Sequence, residues 1–344
     1  MSNQQPNQIA FSKRWDLSIE LLKALAAILV MNSHMDAMYG EYAWMATGGA
    51  IGDALFFFCS GYALFLSNKQ ENFFNWYKRR VQRIYPSVII VSLIGAAYIM
   101  DQIHYSIITD LGTSWFILCI FLFYALLYPI KKYASNHIRY VMLAVTIVII
   151  AWYFLIGIES KSAGNIYGAT YFKWSVYFLF MLFGAVCGRF RIQPERLKML
   201  HLKGTPNILL SLVGFLVSMA LFYVIYIYTQ KSLSLEPYQL ISIIPLMTTC
   251  WFLWRLANTG FAAKIMNTRS IGVPMRFVGG LCLEILICQG FIFTTRLNHI
   301  FPWNILLIMM GVTLFAYVVR TFSRALLQTF QKDDYDWRAM IEPF

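Results

Sequence analysis

Apolar residues fall along this chain in long blocks rather than in the short alternations of a soluble helix or strand. Blocks near the 20 or so apolar residues that cross a bilayer core as a helix are predicted at 15–35, 45–67, 84–101, 113–131, 139–158, 173–189, 206–230, 238–258, 274–296 and 303–322. The expected fold is all-α, a polytopic integral membrane protein of about ten transmembrane helices. No internal repeat or low-complexity segment breaks the series, so residues 1–344 read as a single domain ending in a short cytoplasmic tail over 323–344. The first block is too long for a cleaved leader and has no small-residue cleavage site, and it is expected to stay as the first span.

Composition agrees with the pattern. The chain is 59% hydrophobic and only 13% charged, against about 25% charged residues in ordinary soluble domains. Its net charge of +12 would suggest a nucleic-acid partner in a soluble protein, but the positions of the charges point to a bilayer instead. If the N-terminus is inside, all 28 Lys and Arg residues except Lys23, Lys161, Lys173, Lys231 and Arg296 fall in inner segments, as positive charge does in cytoplasmic loops. Lys13, Arg14, Lys69, Arg196, Lys198, Lys203 and Lys332 are among those inner charges. Both termini are then cytoplasmic and no nucleic acid is expected. Cys59, Cys119, Cys187, Cys250, Cys282 and Cys288 all lie inside apolar runs, without the paired spacing of a metal site, and read as small core residues.

The first block, IELLKALAAILVMNSH, carries three groups that lipid does not favour: Glu20, Lys23 and His34. A charge at the bilayer centre costs about 2.5–3.5 kcal/mol on insertion scales, so it needs a partner or a wet cavity. Glu20 and Lys23 share a helix face and can neutralise one another. Lys23 and His34 are three turns apart, about 16 Å along the same stripe. The stripe is read either as a structural ion pair plus an interface histidine, or as the wall of a polar path with His34 as general base or acyl acceptor. Asp36 could orient the imidazole only if the helix ends at Ser33 or His34.

Further along, FFFCSGYALFLS ends the second block, where Gly61 suits close helix packing and Ser60 suits either packing or a polar cavity. NWYKRRVQRIYPS follows at the inner face. Its charges read as a positive-inside signal or lipid contact, or, through Arg80 and Arg83, as a pair of guanidiniums converging on a phosphate-bearing ligand. Pro86 is expected in the first turn of the third span.

Taken together these residues resemble the acyltransferase 3 family of bacterial membrane acyltransferases. The resemblance rests on Lys23 and His34 in the first helix, Phe56, Phe57, Ser60 and Gly61 in the second, and Arg80, Arg83 and Pro86 in the third. Trp115 and Phe116, and Phe178 to Gly188, look like later family signatures. Two positions depart from it. Ala54 stands where many members have aspartate, with Asp53 one place earlier, and Gln289 stands where many have histidine in the ninth helix, near Glu284. The extracytoplasmic hydrolase-like domain of some members is not expected here.

The resemblance implies an O-acyltransferase of the bacterial inner membrane. It would move an acyl group, acetyl by default, from cytoplasmic acetyl-CoA to a hydroxyl of an extracytoplasmic or lipid-linked glycan, with no metal. On that reading His34, Lys23 and Glu20 are catalytic; Arg80, Arg83 and Ser60 bind the acyl-CoA; Gln289 hydrogen-bonds the substrate; and Glu284 is either a substrate contact or the structural partner of a basic group. Tyr167, Tyr171 and Tyr238 in outer segments could stack on sugar rings, though interfacial aromatics more often serve as anchors. A transporter or flippase for a glycan or small anion is the alternative, since buried charges and a cationic inner mouth also suit a permeation path. Against it, no glycine- or proline-broken helix pair is expected in corresponding halves. A non-catalytic receptor or assembly component would leave the stripe from Lys23 to His34 unexplained.

Overall fold

The computed structural model describes residues 16–66, 71–100, 115–155, 166–168, 171–192, 207–231, 234–331 and 334–342. The inner charges Lys13, Arg14, Lys69, Arg196, Lys198, Lys203 and Lys332, and the outer Lys161, lie outside the described residues. All regular structure among the described residues is helical. It comprises α1 (Leu17–Ser33), α2 (Asp36–Tyr39), α3 (Gly49–Leu66), α4 (Phe73–Met100), α5 (Trp115–Tyr133), α6 (Ile138–Leu155), α7 (Phe172–Ile192), α8 (Ile208–Thr229), α9 (Ile243–Ala257), α10 (Gly260–Met266), α11 (Gly272–Gly280), α12 (Cys282–Cys288), α13 (Trp303–Thr329) and α14 (Trp337–Ile341), with short 3-10 turns between some of them. Six of the described helical segments are long and apolar enough to cross a membrane, or eight if two bent pairs each count as one span. The helices α4 and α7, which overlie two of the expected blocks, are outside that set.

Contacts between helix ends show that the long helices alternate in direction. At one end, Arg191 of α7 meets Asp16 before α1 (3.8 Å), Lys131 of α5 donates to the Leu64 carbonyl of α3 (2.7 Å), and Arg189 reaches Asn136 before α6 (2.6 Å). At the other, Tyr153 of α6 donates to the Glu236 carbonyl before α9 (2.9 Å), Thr47 before α3 to Tyr223 of α8 (2.9 Å), and Asn304 of α13 to the Met38 carbonyl (2.8 Å). Basic side chains crowd the first end and are sparse at the second.

The centre of the bundle is α3 packed on α7, and small residues make that approach possible. A Cβ on Gly61 would stand 1.8 Å from the Met181 carbonyl oxygen, and one on Gly184 would stand 1.9 Å from that of Phe58. Backbones this close gain dispersion contacts that lipid tails cannot replace. The six cysteines are all buried and unbridged, as core residues should be.

Two expectations are corrected. First, α4 begins at Phe73, where the Asn72 side chain accepts from the Asn75 amide (2.9 Å), an N-cap that starts the helix well before the apolar block. Arg80 and Arg83 therefore sit inside a 28-residue helix rather than at its start, and Pro86 is mid-helix. Pro86 has no N–H, so it leaves the Gln82 carbonyl without its usual donor. Second, the ninth block is two helices, α11 and α12, bent by 61° beside Gly279 and Gly280. A Cβ on Gly279 would stand 2.4 Å from the Glu20 carbonyl oxygen, so the glycine that lets α1 approach also weakens the helix. A glycine-broken span thus exists. The first block, by contrast, coincides with α1, which stops at Ser33; beyond it the chain continues at 69° through α2 and a 3-10 turn to Met45.

Candidate active site

α1 starts with Asp16 as its cap, accepting from the Ser18 amide (3.1 Å). One turn on, the Glu20 carboxylate is buried and receives the Lys23 ammonium at 2.9 Å. This is the neutralisation that the three-residue spacing suggested, and it leaves Lys23 facing a cavity of about 530 Å³, a size that suits a small-molecule site. The same cavity is lined by Ser60 of α3, Arg79, Arg80 and Arg83 of α4, Glu284 of α12, and Arg320 and Arg324 of α13. Five of the sequence-derived candidates, Lys23, Ser60, Arg80, Arg83 and Glu284, therefore share one wall system.

The cations there are held in different ways. Arg79 pairs with Glu71. Arg80 lies over the Trp76 ring, 4.4 Å from its centroid, with Lys131 at 5.0 Å from the same ring. The Arg80 Nε is buried without a hydrogen-bond partner among the described residues. A buried N–H on a cation without an acceptor is a costly arrangement, and an anionic ligand would relieve it. Arg320 donates to the Gly280 carbonyl at the bend (2.5 Å), and Glu284 accepts from the Ser87 hydroxyl (2.9 Å). Five arginines and a lysine against one lining acid make the cavity strongly cationic. Arg320 and Arg324 stand four apart on one helix face, a spacing legible in sequence, but they read there only as inner charges.

His34 lies elsewhere. It caps the far end of α1, is exposed, and places Nδ1 2.8 Å from the Val30 carbonyl oxygen and 3.3 Å from the Ser33 hydroxyl. Its own amide bonds Met31 and Asn32, which frees the Val30 carbonyl for side chains. The helix does end where Asp36 would need it to, yet the imidazole's partner is the Val30 carbonyl rather than Asp36. His34 belongs to the end of the bundle with few cations, where Asn32 binds the Met45 and Thr47 carbonyls (2.8 and 2.9 Å) and Asn298 binds that of Ala37 (2.9 Å). So α1 itself joins the two places, with Lys23 in the cationic cavity and His34 about 16 Å further along.

Gln289 opens the turn after α12. It is buried, does not line the cavity, and its Oε1 lacks a partner among the described residues. Asp53 is hydrogen-bonded by Tyr177, with Lys173 near it, and Lys173 sits 3.9 Å from the centroid of the Trp115 ring. Trp115 also stacks on Tyr177, with ring centroids 5.7 Å apart, so it packs against both partners of Asp53.

A family model described as an acyltransferase domain, that of acyltransferase 3, matches residues 16–321. The chain belongs to the acyltransferase 3 family. Comparison with curated proteins and with solved structures gives no match. The matched span of this acyltransferase domain runs from the cap of α1 to the cavity-facing part of α13, and so contains every site candidate named above except Arg324. Membership fixes the reaction class as acyl transfer, and the apolar helices make it a multi-pass membrane protein.

Proposed function

We propose that the chain is a membrane O-acyltransferase. It would take an acyl group, acetyl on the family resemblance, from cytoplasmic acyl-CoA and pass it to a hydroxyl of an extracytoplasmic or lipid-linked glycan. The observation that carries this reading is the pairing of a cationic cavity with His34 through one continuous helix. A nucleotide bearing several phosphates matches the Arg80, Arg83 and Arg320 guanidiniums, and the thin arm of the donor would follow α1 toward His34. The excess of Lys and Arg at the cavity end supports a cytoplasmic assignment for it. The full reading is ten spans, both termini inside, in a bacterial inner membrane.

In the simplest step the neutral imidazole removes the proton of the acceptor hydroxyl as its oxygen attacks the thioester carbonyl. The new C–O bond forms, the C–S bond breaks, and the departing thiolate takes the proton back from the imidazolium. If the imidazole nitrogen attacks first, the N–C bond forms as the C–S bond breaks and the thiolate leaves; the acceptor oxygen then forms its C–O bond as the N–C bond breaks, and the hydroxyl proton passes to the released imidazole or to the thiolate. Lys23, held by Glu20, keeps the path polar and offers positive charge to the donor. Glu284 and Gln289 are assigned to substrate contact.

One observation favours a second reading, transport of a glycan or small anion. The bend between α11 and α12 lies in the cavity wall, and discontinuous helices are common at transport sites. Membranes containing the wild type or His34→Ala, given acetyl-labelled acetyl-CoA and a glycan fraction, separate the two. Base-labile label on the glycan that disappears with the substitution supports acyl transfer, and unchanged label in the mutant removes His34 from the mechanism. Glycan movement without label supports transport.

A further inference from the structure

The segment after the last long helix folds back on α13. Asp336 caps α14 by accepting from the Arg338 and Ala339 amides (2.9 and 3.1 Å). Met340 is buried, and the Asp336 backbone and Gln328 side chain exchange two hydrogen bonds (2.8 and 3.2 Å). Tyr317 donates to the Ile341 carbonyl (2.5 Å). These contacts bring the chain end to Arg324, whose Nη1 donates to the carbonyls of Ala339 (3.1 Å), Met340 (3.3 Å) and Glu342.

The last carbonyls of a helix have no amide partners within it and carry partial negative charge. A guanidinium placed there satisfies them and is fixed in position. Among the described residues Arg324 donates through Nη1 alone, and a guanidinium has five N–H donors, which leaves Nε and Nη2 to face a ligand. Arg324 also lines the cationic cavity, and Arg320 lies close enough to Arg324 and Arg83 for their charges to act on it. Mutual repulsion would swing an unheld Arg324 away from the cavity.

We infer that the C-terminal segment 334–342 is a working part of the anion site. It positions Arg324 to bind the phosphorylated end of the donor. This rests on the reading of the cavity as the acyl-CoA site. The segment does no chemistry, and Arg324 is a binding residue it holds in place.

The test uses the full-length protein in detergent or lipid discs, with acetyl-CoA as the varied substrate. Four variants are compared: a chain ending at Gln331, Arg324→Ala, the two combined, and the milder Tyr317→Phe with Asp336→Ala. The truncation and Arg324→Ala should each raise the donor KM about tenfold, with kcat at saturating donor within about twofold of wild type. The combined variant should be no worse than either, because both remove one interaction. The milder pair should raise the donor KM in the same direction, and it decides the matter if the truncated chain does not fold. An unchanged donor KM in a folded tail variant, or effects that multiply in the combination, would overturn the inference. Arg80→Ala is measured alongside: if it too leaves the donor KM unchanged, the acyl-CoA reading of the cavity has failed and not merely the role of the tail.

Discussion

The Nδ1 of His34 is bound to the Val30 carbonyl oxygen, one turn back on α1, at 2.8 Å. A carbonyl only accepts, so this contact puts a hydrogen on Nδ1, and in the neutral form of the ring the lone pair is then on Nε2. The end of α1 thus does for this imidazole what a carboxylate does in other sites: it selects the tautomer and fixes the ring. Because His34 is exposed, removing the ring should cost little stability. His34→Ala and His34→Gln should each lower the rate of acyl transfer at least about 100-fold, within the range for a general base or nucleophile, with thermal unfolding unchanged. A residual rate above a tenth of wild type would reduce His34 to a positioning role.

Arg80 and Arg83 face one cavity from neighbouring turns of α4. A hydrogen bond to a charged group is worth about 1.5–3 kcal/mol, so Arg80→Ala or Arg83→Ala should raise the donor KM by roughly 10- to 100-fold while kcat changes less. Arg80→Lys should recover only part of the loss, because an ammonium cannot reproduce a guanidinium that stacks on Trp76 and binds an anion edge-on. Steady-state kinetics with varied donor would show whether the loss falls in KM or kcat.

At Gly61 the test is of packing. With its Cβ position 1.8 Å from the Met181 carbonyl oxygen, even alanine must push α3 from α7. Overpacking of a tight core costs about 1–3 kcal/mol, occasionally more, and here the neighbour is backbone, which yields less than a side chain. Gly61→Ala should lower the melting temperature in detergent by several degrees, and Gly61→Leu should leave little folded protein in a size-exclusion profile. Equal stability of Gly61→Leu and wild type would show the two helices are not this close.

How much of this was legible beforehand follows from where each signal lives. Lys23 with Glu20 was legible because helix spacing alone puts them together. The joining of Arg80 and Ser60 was legible only through family resemblance, since their shared cavity is a tertiary fact. Arg320 and Arg324 were counted as inner charges because nothing local distinguishes a cavity-lining arginine from a positive-inside one. The partner of His34 was missed for a simpler reason: a backbone carbonyl leaves no mark in sequence. The bend at Gly279 and Gly280 was not legible, because a glycine that admits a neighbouring helix and one that breaks its own look alike in sequence, and Gly279 does both. The start of α4 was misplaced because the apolar block begins later than the Asn72 cap.

Glu20 and Lys23 permit stability to be separated from function. The pair is largely buried, and breaking a buried pair leaves one charge uncompensated, which costs about 3–5 kcal/mol, whereas replacing both partners by neutral groups is often tolerated. Lys23 is partly exposed to the cavity, which places the expected cost toward the lower end. Glu20→Gln and Lys23→Met should each lower thermal stability, and the double variant should regain most of it.

Gln289 gives a prediction whose sign is informative. Its amide oxygen is buried without a donor among the described residues, and such a group costs about 1–3 kcal/mol unless a ligand satisfies it. The acceptor hydroxyl is a suitable donor, and α12 carries Gln289 away from the cationic cavity, toward the end where Asn298 meets Ala37 and His34 stands. Gln289→Leu should therefore raise the acceptor KM about tenfold, leave the donor KM unchanged and not lower the melting temperature. If instead the protein loses stability and the acceptor KM stays the same, Gln289 is a packing residue, and the acceptor must be held by other groups at that end of the bundle.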